Sequence, residues 1–262
     1  MNTLLDCCAV TDTGLRRPVN EDSYICNPDL GLFLVADGMG GESCGDVASQ
    51  LTAKLFESSM APYITDEEAT IPFEHENGND LILHAMEHAA EQTNQAVLRA
   101  VEESPSCRGM GSTLTAAVVH DDLIYIVHVG DSRLYSFQDN TLLPVTEDHT
   151  RVQEMVKRKI ISAKEARTHR QRNIITRCVG RKKQFKPDLQ KLDLLPGNLY
   201  MLCSDGLYDM IEDGEMAKVM AAHPTLEETG SRLVEMANQN GGKDNITLVL
   251  FRKNPNDNGE SC

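Results

Sequence analysis

Leu32-Phe33-Leu34-Val35-Ala36-Asp37-Gly38-Met39-Gly40-Gly41 is an apolar run that stops at an aspartate followed by glycines. A short apolar run bounded by turn residues reads as a strand, and a strand delivers its terminal side chain to a fixed point at the sheet rim. The arrangement recurs. Residues 124–129 lead to Gly130-Asp131-Ser132-Arg133, and Tyr200-Met201-Leu202-Cys203-Ser204 leads to Asp205-Gly206. Glu21-Asp22 and Asp244-Asn245 stand just before the runs 23–26 and 246–251. A single Asp-Gly is ordinary turn chemistry; five acidic sites at strand ends ask for another reason. Glycine beside the aspartate lets the backbone approach closely and frees its carbonyl as a ligand. Carboxylates converging at one edge cannot all stay ionised without cations. Hard oxygen ligands with few His or Cys select Mg²⁺ or Mn²⁺ over zinc or copper. Two such ions, roughly 3.5–4 Å apart, share a bridging hydroxide and stabilise in-line displacement at phosphorus. Arg16-Arg17 stands four or five residues before Glu21, and arginine grips a phosphate bidentately where lysine cannot.

Working outward, strands are expected at 4–10, 23–26, 32–36, 112–120, 123–129, 133–138, 199–203 and 246–251, with hairpin turns at Asp121-Asp122 and Asp139-Asn140. Helices are expected at 45–60, with Val47, Ala48, Leu51 and Leu55 on one face, and at 80–103, with a stripe from Ile82 to Ala100. Ser162 with Glu165 and Thr225 with Glu228 are capping-box pairs; Asn240-Gly241-Gly242 ends the second of these helices. Residues 61–79 are acidic, carry Pro62 and Pro72, and read as a surface insertion; 254–262 read as a disordered tail. Mostly antiparallel strands flanked by long helices argue for a layered sandwich rather than a doubly wound parallel sheet.

The 262 residues, 40% hydrophobic, suffice for one large domain, placed at 1–253. Twenty-five basic against 40 acidic residues give a formal charge of −15, which disfavours nucleic acid and anionic membranes. The acidity suits both solubility and cation binding. Eight cysteines in a chain this long do not make a disulfide scaffold. Cys7, Cys8, Cys26, Cys44, Cys107, Cys178 and Cys203 read as buried or incidental thiols of a reducing compartment. Without a basic, apolar leader or an 18-residue apolar stretch, a cytoplasmic, monomeric protein is the expectation.

The ordered motifs Arg-x-x-Asn-Glu-Asp, Ala-Asp-Gly-Met-Gly-Gly, Gly-Met-Gly-Ser-Thr, Val-Gly-Asp-Ser-Arg, Cys-Ser-Asp-Gly-Leu and Lys-Asp-Asn-Ile-Thr resemble the type-2C metal-dependent Ser/Thr protein phosphatases, most of all their compact bacterial members, and the resemblance covers residues 4–252. The resemblance implies an α+β fold, a four-layer α-β-β-α sandwich with two Mn²⁺ or Mg²⁺ ions, and a third in bacterial relatives. By motif, Asp37 would bridge two metals, the Gly38 carbonyl would ligate one, and Asp205 and Asp244 would complete one shell. Glu21 would support the other metal, Asp131 a third, and Arg17 would bind the substrate phosphate. Residues 109–113 would pack near the centre, and 146–180 would form a mobile flap beside it. The implied activity is hydrolysis of phosphoserine or phosphothreonine on proteins, the substrates of a Ser/Thr kinase, by attack of a metal-bridging hydroxide. In animal members a His after the Asp-Gly is the proposed general acid; here Met39 stands there, and His149 is the candidate elsewhere. A catalytically silent regulator of the same fold and a small phosphate-ester hydrolase are the alternatives.

Other signals carry less. His84-Ala85-Met86-Glu87-His88 matches a zinc-peptidase pattern but falls on the helix face with Glu91 and Gln95, opposite the apolar stripe. No cysteine has an arginine six residues on, as a thiol phosphatase requires; Cys178 is followed there by Gln184. No Walker-type phosphate loop occurs.

Overall fold

In the computed structural model, residues 4–40, 44–66 and 81–254 are described. The run that opens the sequence reading is buried on both faces. Leu32, Leu34 and Ala36 pack with Phe56 and Met86, while the alternate residues Phe33 and Val35 pack with Val249 and Phe251. A strand covered on both sides is apolar throughout rather than alternating, which is why this stretch stands out.

The first half of the chain comprises β1 (Leu5–Asp12), β2 (Asp22–Asn27), β3 (Leu32–Met39), α1 (Gly45–Thr65), α2 (Leu81–Glu103), β4 (Gly111–Ser112), β5 (Leu114–His120) and β6 (Leu123–Val129). The second half adds β7 (Arg133–Gln138), β8 (Thr141–Pro144), α3 (Arg151–Lys157), α4 (Ala163–Thr168), β9 (Asp188–Asp193), β10 (Leu199–Cys203), α5 (Asp205–Tyr208), α6 (Asp213–Ala222), α7 (Leu226–Gln239) and β11 (Ile246–Lys253). One sheet has the order β1-β11-β10-β7-β8 and the other β2-β3-β5-β6-β9, with β4 pairing β3. Every pairing is antiparallel.

The sheets pack face to face around Phe33, Ile126, Leu202 and Phe251, where Phe33 and Phe251 stack with centroids 4.3 Å apart. Such a pair adds about 0.5–1.5 kcal/mol to the burial of the rings. α1 and α2 cover the outer face of one sheet; α5, α6 and α7 cover the other. This is the expected four-layer sandwich. Asp121, Asp122, Asp139 and Asn140 all have φ between 50° and 60°, the left-handed geometry of two-residue hairpin turns.

Four expectations need correction. α1 continues through Pro62 to Thr65, because Met60, Tyr63 and Ile64 pack on the core and outweigh the lost proline donor; the rest of the expected insertion, 67–79, lies outside the described residues. The buried face of α1 is Ala48, Thr52, Ala53, Phe56 and Met60, and Val47 is 44% exposed. Cys44 and Cys107 are not thiols but a disulfide that joins the start of α1 to the turn after α2. Asn254 is not loose: its N–H donates to the Leu4 carbonyl and its side chain to Asp6. Residues 255–262 lie outside the described part.

Candidate active site

Antiparallel pairing of β2 and β3 sets Asp22 directly across from Asp37. Thr113 holds the Asp37 backbone from both sides: its N–H donates to the Asp37 carbonyl (2.9 Å), and its hydroxyl accepts the Asp37 N–H (2.8 Å). That hydroxyl also shares a 2.7 Å hydrogen bond with Ser132, the residue after Asp131. The motif at 109–113 therefore fixes the strand end that presents Asp37. Gly38 has no room for a side chain, since a Cβ there would lie 2.0 Å from the Gly45 carbonyl and 2.5 Å from that of Glu21. The Gly45 N–H donates to Glu21 Oε1 at 3.1 Å, so the start of α1 orients that carboxylate.

Asp205 opens α5 immediately after β10. The preceding Ser204 hydroxyl donates to Asp22 (2.7 Å) and accepts the Thr247 N–H (3.0 Å), tying β10, β2 and β11 together beneath the site. Asn245 ties down the loop that carries Arg17. Its Oδ1 accepts the Glu21 N–H, and its Nδ2 donates to the carbonyls of Thr13 and Val19, each at 2.9 Å. Asp131 follows Gly130, whose φ of 116° favours glycine.

Arg17, Glu21, Asp37, Gly38, Asp131, Asp205 and Asp244 all line one cleft of about 570 Å³, together with Met39, Asn173, Ile174, Ile175 and Arg181. Every metal-ligand and phosphate-binding candidate read from the sequence thus lines one cleft; His149, the candidate proton donor, does not. The structure adds supporting roles for Asp22, Thr113, Ser204 and Asn245, through a carboxylate, two hydroxyls and a side-chain amide. Asp22 and Asn245 fall inside the acidic motifs, but no spacing rule tells a supporting residue from its neighbour.

The electrostatics are those of an overfull acidic pocket. Burial, then the nearby Asp22 and Asp205, hold the Asp37 carboxyl well above the usual range. Burial, then Asp131 and Asp244, do the same to Asp205. Asp131 is pushed up to about 7, by burial first and Asp148 second, and Asp22 to about 6, mainly by burial. Asp131 Oδ1 and Asp205 Oδ1 are buried with no hydrogen-bond partner. Asp244 is turned to the Arg17 guanidinium at 2.7 Å. As the side chains stand, no three acidic, His or Cys groups among the described residues are close enough to grip a single ion. Like charges hold apart and Arg17 occupies Asp244, so cation binding asks for side-chain rotations within the cleft. The donor set is all oxygen, with two buried orphan acceptors, and it fits a hard divalent cation.

His149 does not reach the cleft. It is 5% exposed; its Nδ1 accepts the Gly130 N–H (3.1 Å), and its Nε2 lies 3.1 Å from Asp188 Oδ2. It fastens the base of the 146–180 segment, whose far end is pinned by the Arg151 N–H to the Ile174 carbonyl and the Thr176 N–H to the His149 carbonyl.

Comparison with known proteins agrees with this architecture. The Protein phosphatase 2C family matches residues 18–250. The Serine/threonine protein phosphatase PstP of Mycobacterium tuberculosis is 36% identical over 242 residues, covering 92% of this chain but only 44% of that protein. The Serine/threonine phosphatase stp of Listeria innocua is 32% identical over 250 residues, covering 93% and 94%. The PstP catalytic domain in complex with two manganese ions superposes with a TM-score of 0.80 at 34% identity, covering 95% of this chain and 97% of that one. Staphylococcus aureus Stp1 gives 0.82 at 30% identity, covering 96% of each. With the family matched over residues 18–250 and the fold shared over nearly the whole chain, this chain belongs to the protein phosphatase 2C family.

Proposed function

We propose that the chain is a metal-dependent protein phosphatase acting on phosphoserine and phosphothreonine, with residues 1–253 as one catalytic domain. The observation that carries this reading is that Glu21, Asp37, Asp131, Asp205 and Asp244, from separate stretches of chain, line a single cleft with Arg17. In this reading Asp37 would be shared by two cations, the Gly38 carbonyl would serve one, and Asp205 and Asp244 would complete one shell. Glu21 would support the other cation and Asp131 a third. Bound there, Mn²⁺ or Mg²⁺ supplies an activated water and neutralises charge on the phosphoryl oxygens. The related PstP catalytic domain, solved in complex with two manganese ions, supports the choice of ion.

The chain's own groups do the rest. Thr113 and Ser204 hold Asp37 and Asp22 at fixed height. Once Asp244 serves a cation, the Arg17 guanidinium is free to hold a substrate phosphate bidentately. Met39 cannot donate a proton and His149 is enclosed, so water in the cleft protonates the leaving alkoxide. Phosphorylated proteins, the products of a Ser/Thr kinase, are the proposed partners, and a monomer the proposed state. No helix among the described residues is long and apolar enough to cross a membrane.

The test is hydrolysis of a phosphothreonine peptide with Mn²⁺, compared with EDTA-treated protein. Asp37→Asn is expected to lower kcat by about 10²-fold or more while the circular dichroism spectrum is unchanged. Wild-type turnover in that variant would contradict the assignment.

A further inference from the structure

The chain is acidic overall, yet one segment is the reverse. Residues 151–186 contain thirteen lysines and arginines against two glutamates, a formal +11 in a chain of −15. Every one of the thirteen is exposed. Among the described residues only Lys157, Arg172 and Arg177 of these form ion pairs, with Glu147, Asp209 and Asp188. A solvated charged face is usually mixed in sign, because like charges crowded together repel. Ten exposed cations make no ion pair among the described residues, and although Arg167 stands close enough to Asp209 to interact with it, the segment as a whole keeps a large excess of positive charge.

Their position says which anion. Arg181 lines the cleft that holds Arg17 and Asp37, tethered through a 3.1 Å hydrogen bond from its Nη2 to the Gly109 carbonyl. Arg133, Arg167 and Arg172 line a second hollow of about 250 Å³ beside Asp148 and Asp209; Arg133 pairs with Asp148 and Arg172 with Asp209, which leaves Arg167 as its arginine without an ion pair. Asp131, Asn173 and Asp205 line both hollows, so they meet at the candidate centre. A polypeptide with its phosphorylated residue at the centre therefore passes arginines of this segment in both hollows. We propose that residues 151–186 select substrates by charge. Arg181 in one hollow and Arg167 in the other bind carboxylate or phosphate side chains flanking the phosphorylated residue. This rests on the phosphatase reading and adds a substrate class to it: acidic or multiply phosphorylated segments. The carboxylate centre itself repels such a substrate until cations fill it, which leaves the flanking arginines to provide the attraction.

The experiment uses the full chain with Mn²⁺ and four phosphothreonine peptides of one sequence. Their three residues on either side are aspartate, alanine or lysine, or the aspartate is replaced by a second phosphothreonine. The expected kcat/KM for acidic or doubly phosphorylated flanks is about tenfold above alanine, from two exposed ion pairs, and lies in KM. It should shrink toward unity as salt rises from about 50 mM to about 500 mM. The double variant R167Q/R181Q should bring the aspartate-to-alanine ratio within about twofold, a ratio that cancels any general loss of activity. If wild type hydrolyses aspartate- and alanine-flanked peptides equally, the proposal is overturned whether or not the variant folds. Equal hydrolysis together with binding to phosphatidylserine vesicles would assign the basic segment to membranes instead. Turnover of p-nitrophenyl phosphate with none of any phosphopeptide would bring down the protein-phosphatase reading itself.

Discussion

Asp131 and Asp205 each hold a buried carboxylate oxygen that accepts from nothing in the chain. Such an atom costs roughly 1–3 kcal/mol, and the cost is relieved by a proton, a water or a cation. The raised values for Asp22, at about 6, and Asp131, at about 7, express the same fact. These folded-state values lie above the usual 3.8, so the native state holds protons that the unfolded chain has released. Without metal, the stabilisation these two protonated groups provide is fully present below about pH 4 and is lost as pH rises through 6 to 7. Thermal unfolding in EDTA should therefore show Asp131→Asn raising the midpoint at pH 7.5, by ~1–3 kcal/mol, and doing so much less near pH 4. No gain at pH 7.5 would mean that Asp131 is not strained. His149 allows a second test. Enclosed between Gly130 and Asp188, it positions chain rather than donating protons to substrate. His149→Gln should lower stability yet keep the limbs of the pH–rate profile in place; loss of the alkaline limb would restore it as the general acid.

At the scale of elements, the site depends on ends of strands and starts of helices being tied to one another. The Cys44–Cys107 disulfide closes a separation of 63 residues and fastens the start of α1, whose Gly45 N–H orients Glu21. Loop-closure entropy for that length predicts that Cys107→Ser costs about 2–4 kcal/mol under oxidising conditions and nothing once reductant is added. Free thiols at both positions in a non-reduced digest would refute the pairing. Element existence was legible where burial leaves a one-dimensional trace. β6, β7 and β10 appear at the expected bounds because their runs meet Gly, Asp, Asn or Ser at each end. β8 and β9 were not expected, since these edge strands carry the mixed patterns Thr141–Pro144 and Asp188–Asp193 and owe their existence to a neighbouring ladder. The disulfide was hidden for a similar reason. Residues 63 apart become neighbours only after α1 and α2 have packed.

Across the whole molecule, the sandwich sends the connections at one end of both sheets to a single cleft. Asp22 and Asp37 come from one sheet, and Asp205 and Asp244 flank strands of the other. The ligand candidates were readable because each is anchored to a strand end. What stayed hidden was the web beneath them, where Asn245 clamps the Arg17 loop, together with the concentration of positive charge in one segment beside the cleft. The web is a property of three-dimensional neighbourhood that no local period announces; the charge is countable in the sequence, but its place beside the cleft is not. The central claim is that this acidic cluster exists to hold cations, and calorimetric titration of Mn²⁺ into the metal-free chain tests it most directly. Two or three ions should bind per chain with release of protons, and Asp205→Asn should remove at least one of them. Absence of binding in the wild type, or unchanged stoichiometry and affinity in Asp205→Asn, would contradict the account.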